Sequence, residues 1–186
     1  MTTIRPAEGR DLSVITAIYA EAVVGGLGSF EEVPPDLPEM ALRHAGLVAA
    51  GLPYLVAEDA AGIAGFCYAA PFRPRSAYRH TVEDSIYVAD GRRGRGIGRQ
   101  LLGSLIDACT AIGKRQMIAV VGDSSNTASV MLHRRLEFRL SGLLYAVGYK
   151  SGNWVDCVMM QRPLGSGEDS APADSTLAER GRLPGS

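Results

Sequence analysis

The segment Arg92-Arg93-Gly94-Arg95-Gly96-Ile97-Gly98 constrains this chain most, because it lies between two stretches of different hydrophobic period. Upstream, Thr81 to Val88 carries β-branched residues at intervals and reads as a strand that ends in Asp90-Gly91. Downstream, Leu101, Leu102, Leu105, Ile106, Cys109 and Ile112 form the apolar stripe of a helix, closed by Gly113-Lys114. A strand that runs through closely spaced glycines into a helix leaves several backbone N–H groups unbonded, with the positive end of the helix dipole behind them. The glycines let a ligand approach the backbone, so the turn is a candidate cradle for a pyrophosphate. Its spacing is not that of a Walker loop, which needs Gly-Lys-Ser/Thr, nor of the dinucleotide fingerprint, which sets two residues before its third glycine. Two other readings stay open here: a tight turn without a ligand, and a basic face of Arg92, Arg93, Arg95 and Arg99 that is solvated or binds nucleic acid.

The other elements follow from period and punctuation. Ile4-Arg5 begins a strand, and Leu12, Ile15, Ala17, Ile18 and Ala22 mark a helix over 11–23. Gly25 to Pro38 has neither period and is a long loop, of a kind that is often functional. A helix over 39–50 precedes a hairpin, 54–57 and 63–68, turning at Asp59-Ala60-Ala61-Gly62. Met117 to Val121 is a buried strand, 126–136 a helix, and 140–147 and 154–160 two closing strands. This order describes an α+β domain, a mixed sheet covered by helices, over residues 1–164. From Gly165 the composition turns to Gly, Ser, Asp, Glu, Ala and Pro, and 165–186 is expected to be a flexible tail.

Composition narrows the function classes. Nineteen Lys and Arg against 20 Asp and Glu give a net charge of -1, which argues against a nucleic-acid partner. No window approaches the roughly 20 apolar residues of a membrane span, so a cytoplasmic protein without a membrane partner is expected. Cys67, Cys109 and Cys157 each lie in an apolar run without metal-ligand spacing and read as buried thiols, with no metal site.

Arg93 to Gly98 matches the Q/R-x-x-G-x-G/A signature of the GNAT superfamily of acetyltransferases. Tyr78-Arg79-His80-Thr81-Val82-Glu83, Ile86-Tyr87-Val88 and Gly148-Tyr149-Lys150 with Trp154 extend the likeness, so that residues 2 to 163 resemble the phosphinothricin and methionine sulfoximine N-acetyltransferases. The resemblance implies the GNAT fold: a mostly antiparallel sheet of six to seven strands, splayed in its middle and flanked by about four helices. It implies acetyl-coenzyme A as acetyl donor, a small amino-acid analogue as amine acceptor, and a homodimer. On the same ground Arg93, Gly94, Arg95, Gly96, Ile97, Gly98 and Arg99 would hold the pyrophosphate, Ile86, Tyr87 and Val88 the pantetheine chain, and Asn126 the cofactor as well, although Asn126 is equally a helix N-cap.

Acyl transfer to an amine needs a base, a polarised carbonyl and a proton for the leaving thiolate. Glu83 is the candidate base. His133, standing where many members have a tyrosine, and Tyr87 are candidate acids. Arg73, Pro74, Arg75 and Arg79, with Glu83, Asp84 and Ser85, are expected on the acceptor side, where these arginines and Lys150 favour an anionic acceptor. The family's Leu-Gly-Phe glycine is Glu137 here, so the helix before it is expected to find its left-handed residue elsewhere or to bend differently. The competing readings are a family member acting on a polyamine, an aminoglycoside or a protein N-terminus, a non-catalytic coenzyme A-binding regulator, and an acetyl-cysteine route through Cys109 or Cys157.

Overall fold

A computed structural model describes residues 2–173. Strands β1 (Thr3–Pro6), β2 (Tyr54–Asp59), β3 (Gly62–Pro71), β4 (Thr81–Val88), β5 (Gln116–Gly122), β6 (Arg139–Lys150) and β7 (Asn153–Pro163) alternate with helices α1 (Leu12–Gly25), α2 (Leu37–Ala49), α3 (Ile97–Ala111) and α4 (Thr127–Arg135). This is the order expected from the sequence. The seven strands make one sheet in the order β1-β2-β3-β4-β5-β7-β6. All neighbours are antiparallel except β4 and β5, which α3 joins by the crossover that a parallel pair requires.

Alternation along the strands sends side chains to two cores. Tyr54, Val56 and Phe66 pack with Leu12, Ile15, Ile18, Tyr19 and Val23 under α1 and α2, whereas Leu55, Ala57 and Cys67 pack with Leu101, Leu102, Leu105 and Cys109 under α3. The feature that positions the site is a partial pairing. β4 follows β3 from Val82 to Val88, but meets β5 only at Thr81 to Asp84, opposite Gln116 to Ala119. Beyond Asp84 the two parallel strands part.

The three cysteines are buried and free. The expected tail falls mainly on residues 174–186, outside the described residues. Before it, Arg115 donates hydrogen bonds to the Ser170 and Ala171 carbonyls at 3.2 and 3.1 Å. Glu137 itself supplies the left-handed residue after α4, at φ 67°, and the Phe138 N–H closes back on the His133 carbonyl at 3.1 Å. This corrects the expectation of a different C-cap. Arg162 steadies the turn, pairing with Glu137 at 3.2 Å and donating to the Leu136 carbonyl.

Candidate active site

The parting of β4 and β5 opens a cleft of about 1510 Å³ that passes through the sheet. Because residues alternate, the Ala89 N–H bonded to the Ala64 carbonyl fixes which backbone groups of β4 face β3. Ile86 and Val88 then turn their N–H and C=O groups toward the open side, where Arg93 Nε meets the Val88 carbonyl at 3.5 Å.

On one face the glycine turn closes the cleft. Gly94 and Gly96 have φ of 78° and 79°, and a Cβ on either would meet nothing within 4 Å, so the space above the backbone is open to a ligand. Gly96 caps α3, leaving the N–H groups of Ile97, Gly98 and Arg99 without helical acceptors. Gly98 serves packing instead, since a Cβ there would sit 3.3 Å from Leu132 of α4. The arginines divide: Arg92, Arg93 and Arg99 line the cleft, Arg92 with its guanidinium held by Asp59 at 2.5 Å, whereas Arg95 turns away to the Gly91 carbonyl at 3.1 Å. Asn126 is the N-cap of α4. Its side-chain oxygen accepts from the Ser129 N–H at 3.2 Å, capping α4, while the residue also lines the cleft.

His133, on the last turn of α4, is buried and faces the same side as Asp84. Its Nε2 lies 3.0 Å from Asp84 Oδ2 and its Nδ1 2.8 Å from the Ser129 carbonyl. A carbonyl only accepts, so Nδ1 carries a proton, and a further proton is shared between Nε2 and the carboxylate. Burial alone would depress the His133 pKa, but the hydrogen bond and charge of Asp84 and the Ser129 carbonyl outweigh it, and the pKa is raised. Both ring nitrogens are thus engaged. Asp84 is a partner of His133 and does not share the face of its neighbours Glu83 and Ser85.

On the opposite face, Glu83, Ser85 and Tyr87 look toward α1 and the loop after it. Burial raises the Glu83 pKa, the Asp84 charge adds to it, and Arg73 opposes it. Tyr87 stacks on Phe66 at 5.1 Å and meets Tyr19 edge-on at 4.9 Å, and burial keeps its hydroxyl pKa well above the usual value. Burial likewise moves Tyr68 to about 12. Tyr19, Glu31 and Tyr68 line this side but were not expected from sequence. Tyr19 repeats at helical spacing after Ile15 and reads as core. The only signal for Glu31 was its place in the long loop.

Pro74, Arg75 and Arg79 do not line the cleft. They flank a short 3-10 turn (Ser76–Tyr78) on the outer surface, where Arg79 Nη1 donates to the Ser76 carbonyl at 3.3 Å. Arg73 does not line the cleft either: it stacks on Phe72 at 5.1 Å and reaches Glu83 only through its charge. Lys150 is also absent from the acceptor side, because Nζ donates to the carbonyls of Val23, Gly26 and Ser29 at 2.7, 2.8 and 2.7 Å. Among the described residues no group of three or more His, Cys, Asp or Glu could hold a metal, and no helix is long and apolar enough to cross a membrane.

The chain matches the Acetyltransferase (GNAT) family over residues 15–138. A phosphinothricin N-acetyltransferase of Alcaligenes faecalis is 52% identical over 170 residues, covering 91% of this chain and 86% of its own length. An L-methionine sulfoximine/L-methionine sulfone acetyltransferase of Pseudomonas paraeruginosa is 42% identical over 163 residues, covering 87% and 94%. The structure of a GNAT superfamily phosphinothricin acetyltransferase from Sinorhizobium meliloti in complex with AcCoA superposes with a TM-score of 0.90 at 48% identity, covering 94% of each chain. The splayed pair of parallel strands, the glycine turn at the start of α3 and these likenesses along nearly the whole chain lead to one conclusion: the protein belongs to the acetyltransferase (GNAT) family.

Proposed function

We propose that the chain is an N-acetyltransferase that moves the acetyl group of acetyl-coenzyme A to the primary amine of a small amino-acid analogue of the phosphinothricin or methionine sulfoximine type. The observation that carries this reading is the cleft through the splayed sheet, with unbonded glycine-turn amides on one face and a half-buried Glu83 on the other. The relatives named above supply the acceptor class. The open space over Gly94 and Gly96 and the backbone of Ile86 and Val88 suit a pyrophosphate and its amide-bearing arm. Bound there, acetyl-coenzyme A supplies an acyl group activated as a thioester, which a deprotonated amine takes with loss of the thiol.

The residues of the chain divide the remaining work. The Gly96 to Arg99 amides, with Arg93 and Arg99, neutralise the pyrophosphate, Asn126 adds a polar contact beside it, and the Val88 N–H polarises the reacting carbonyl. Glu83, made more basic by burial, accepts the ammonium proton directly or through water. Tyr87 keeps its hydroxyl proton at neutral pH and offers it toward the departing sulfur, whereas His133, with both nitrogens bonded, positions the β4 side of the cleft. Arg73, whose charge is felt at Glu83, attracts an acceptor carboxylate. No cysteine suits an acetyl-enzyme, since burial raises Cys157, takes Cys109 to about 12 and holds Cys67 well above the usual thiol value.

We also infer a homodimer in the cytoplasm. The edge strand β6 and the hairpin after it expose Leu144, Tyr145, Val147, Tyr149 and Trp154, an apolar surface of the kind that dimers cover. Free buried thiols suit a reducing compartment. A second acceptor class rests on Glu21, Glu31 and Glu83, carboxylates that line the cleft and would attract a polyamine. Thiol release from acetyl-coenzyme A against phosphinothricin, methionine sulfoximine, methionine sulfone, spermidine and kanamycin separates the two. Saturable release with the amino-acid analogues alone is expected. Release only with spermidine or kanamycin would overturn the acceptor class, and silence throughout would overturn the activity.

A further inference from the structure

Lys150 is a charged residue only 4% exposed, and among the described residues its ammonium pairs with no carboxylate. It ends β6, just before the Ser151-Gly152 turn, where both residues take positive φ and the chain reverses into β7. Its three N–H donors meet three carbonyls, those of Val23, Gly26 and Ser29, all within 2.8 Å. Val23 lies in the last turn of α1 and Gly26 just past its end, so Lys150 closes carbonyls that the helix leaves open and sits at the negative end of its dipole. Two further contacts hold the same segment against the sheet. Phe30 packs over Gly148 of β6 so tightly that any Cβ there would strike its ring, and Gly122 at the end of β5 admits the Leu27 carbonyl to 2.6 Å from where a Cβ would stand. The segment so held, Gly25 to Glu31, forms a wall of the cleft on the Glu83 side.

We propose that Lys150 is a specificity-positioning residue: from the tip of the β6–β7 hairpin it seats the Gly25–Glu31 wall, and so sets the affinity for the acceptor without touching acceptor or coenzyme. The inference rests on the proposed acetyltransferase reading and extends it to the control of acceptor binding. Lys150 shares no contact with the coenzyme side of the cleft, built by the glycine turn and α4, which the wall meets at Gly28, where a Cβ would stand 3.4 Å from the Asn126 amide nitrogen. Loosening the wall therefore separates the two substrates. If the seated wall falls to a tenth of the population, the apparent acceptor KM rises about tenfold.

The test is Lys150→Met, which keeps the aliphatic stem and removes the donors, measured by initial rates with methionine sulfoximine and acetyl-coenzyme A and by hydrogen exchange of the backbone amides. The acceptor KM is expected to rise about tenfold, with the acetyl-coenzyme A KM within about twofold, and the 25–31 amides are expected to exchange faster than those of α3. Gly148→Ala perturbs the same wall through Phe30 while leaving the buried ammonium intact, and is expected to raise the acceptor KM in the same direction even if the lysine variant does not fold. Equal rises in both KM values, or unchanged acceptor KM and exchange in either folded variant, would overturn the proposal. Absence of thiol release by the unaltered protein with every acceptor in the panel would instead overturn the activity on which it rests.

Discussion

Replacing Asp84 by Asn tests the buried pair directly, because the isostere keeps a hydrogen-bonding group opposite His133 Nε2 but removes the charge that holds the shared proton. In the native protein the folded-state pKa of His133 is raised above the unfolded value of 6.5, so the native state binds this proton more tightly than the unfolded chain does. The resulting stability is fully present below pH 6.5 and is lost as pH rises through the folded pKa. In the Asp84→Asn variant, burial is left as the dominant influence and depresses the histidine pKa. The contribution then reverses: stability rises with pH up to 6.5 and is flat above it. Each unit between folded and unfolded pKa corresponds to about 1.4 kcal/mol, which also bounds the slope per pH unit from one histidine. The thiols that feel the Asp84 charge, Cys67 and Cys109, have raised pKa values and stay protonated through this range. Urea unfolding of both proteins between pH 6 and pH 8.5 is the assay, since other histidines cancel in the difference. The native protein should exceed Asp84→Asn by most at the acid end, with the gap narrowing above pH 6.5. A gap independent of pH would refute the shared proton.

Three further outcomes follow from the same geometry. Glu83→Gln should lower kcat by about a hundredfold or more and remove the acid limb of the rate profile, with acetyl-coenzyme A binding by calorimetry nearly intact; unchanged turnover would remove Glu83 from the mechanism. Gly96→Ala forces a side chain into φ 79° and should cost about 1 kcal/mol in chemical denaturation while weakening acetyl-coenzyme A binding, so full retention of both would show that the turn relaxes freely. Glu137→Gly relieves a left-handed residue worth about 1–2 kcal/mol but adds unfolded-state freedom and deletes an ion pair whose carboxylate is 81% exposed, so its stability should stay within about 1 kcal/mol of the native value.

What could be read from the sequence was what depends on local period and backbone conformation. The order of seven strands and four helices, the turn at Gly94 and Gly96 and the helix start behind it are set by residues near in sequence, so period and punctuation along the chain carry the first and the pattern of Thr81 to Ile112 the other two. Adjacent residues on β4 read alike, however, as candidates for one site. Only the strand's place between two covered faces separates Glu83 and Tyr87, which look toward α1, from Asp84, whose partner His133 lies 49 residues away on α4. The arginines misled for a related reason. Charge near a site in sequence says nothing of direction, and the outer turn after β3 carries Arg75 and Arg79 away from the cleft, while Lys150, 124 residues from Gly26, spends its donors on backbone carbonyls. Glu137 shows the converse: glycine is the easy choice at a left-handed C-cap, but a residue with a Cβ can stand there when the Phe138 N–H and Arg162 hold the turn from both sides. The acceptor side was therefore the least legible part, because its wall is assembled by contacts between α1, β6 and β5 that no local pattern records, and it is at that wall that members of one family with a common coenzyme cradle are free to diverge in the amine they accept.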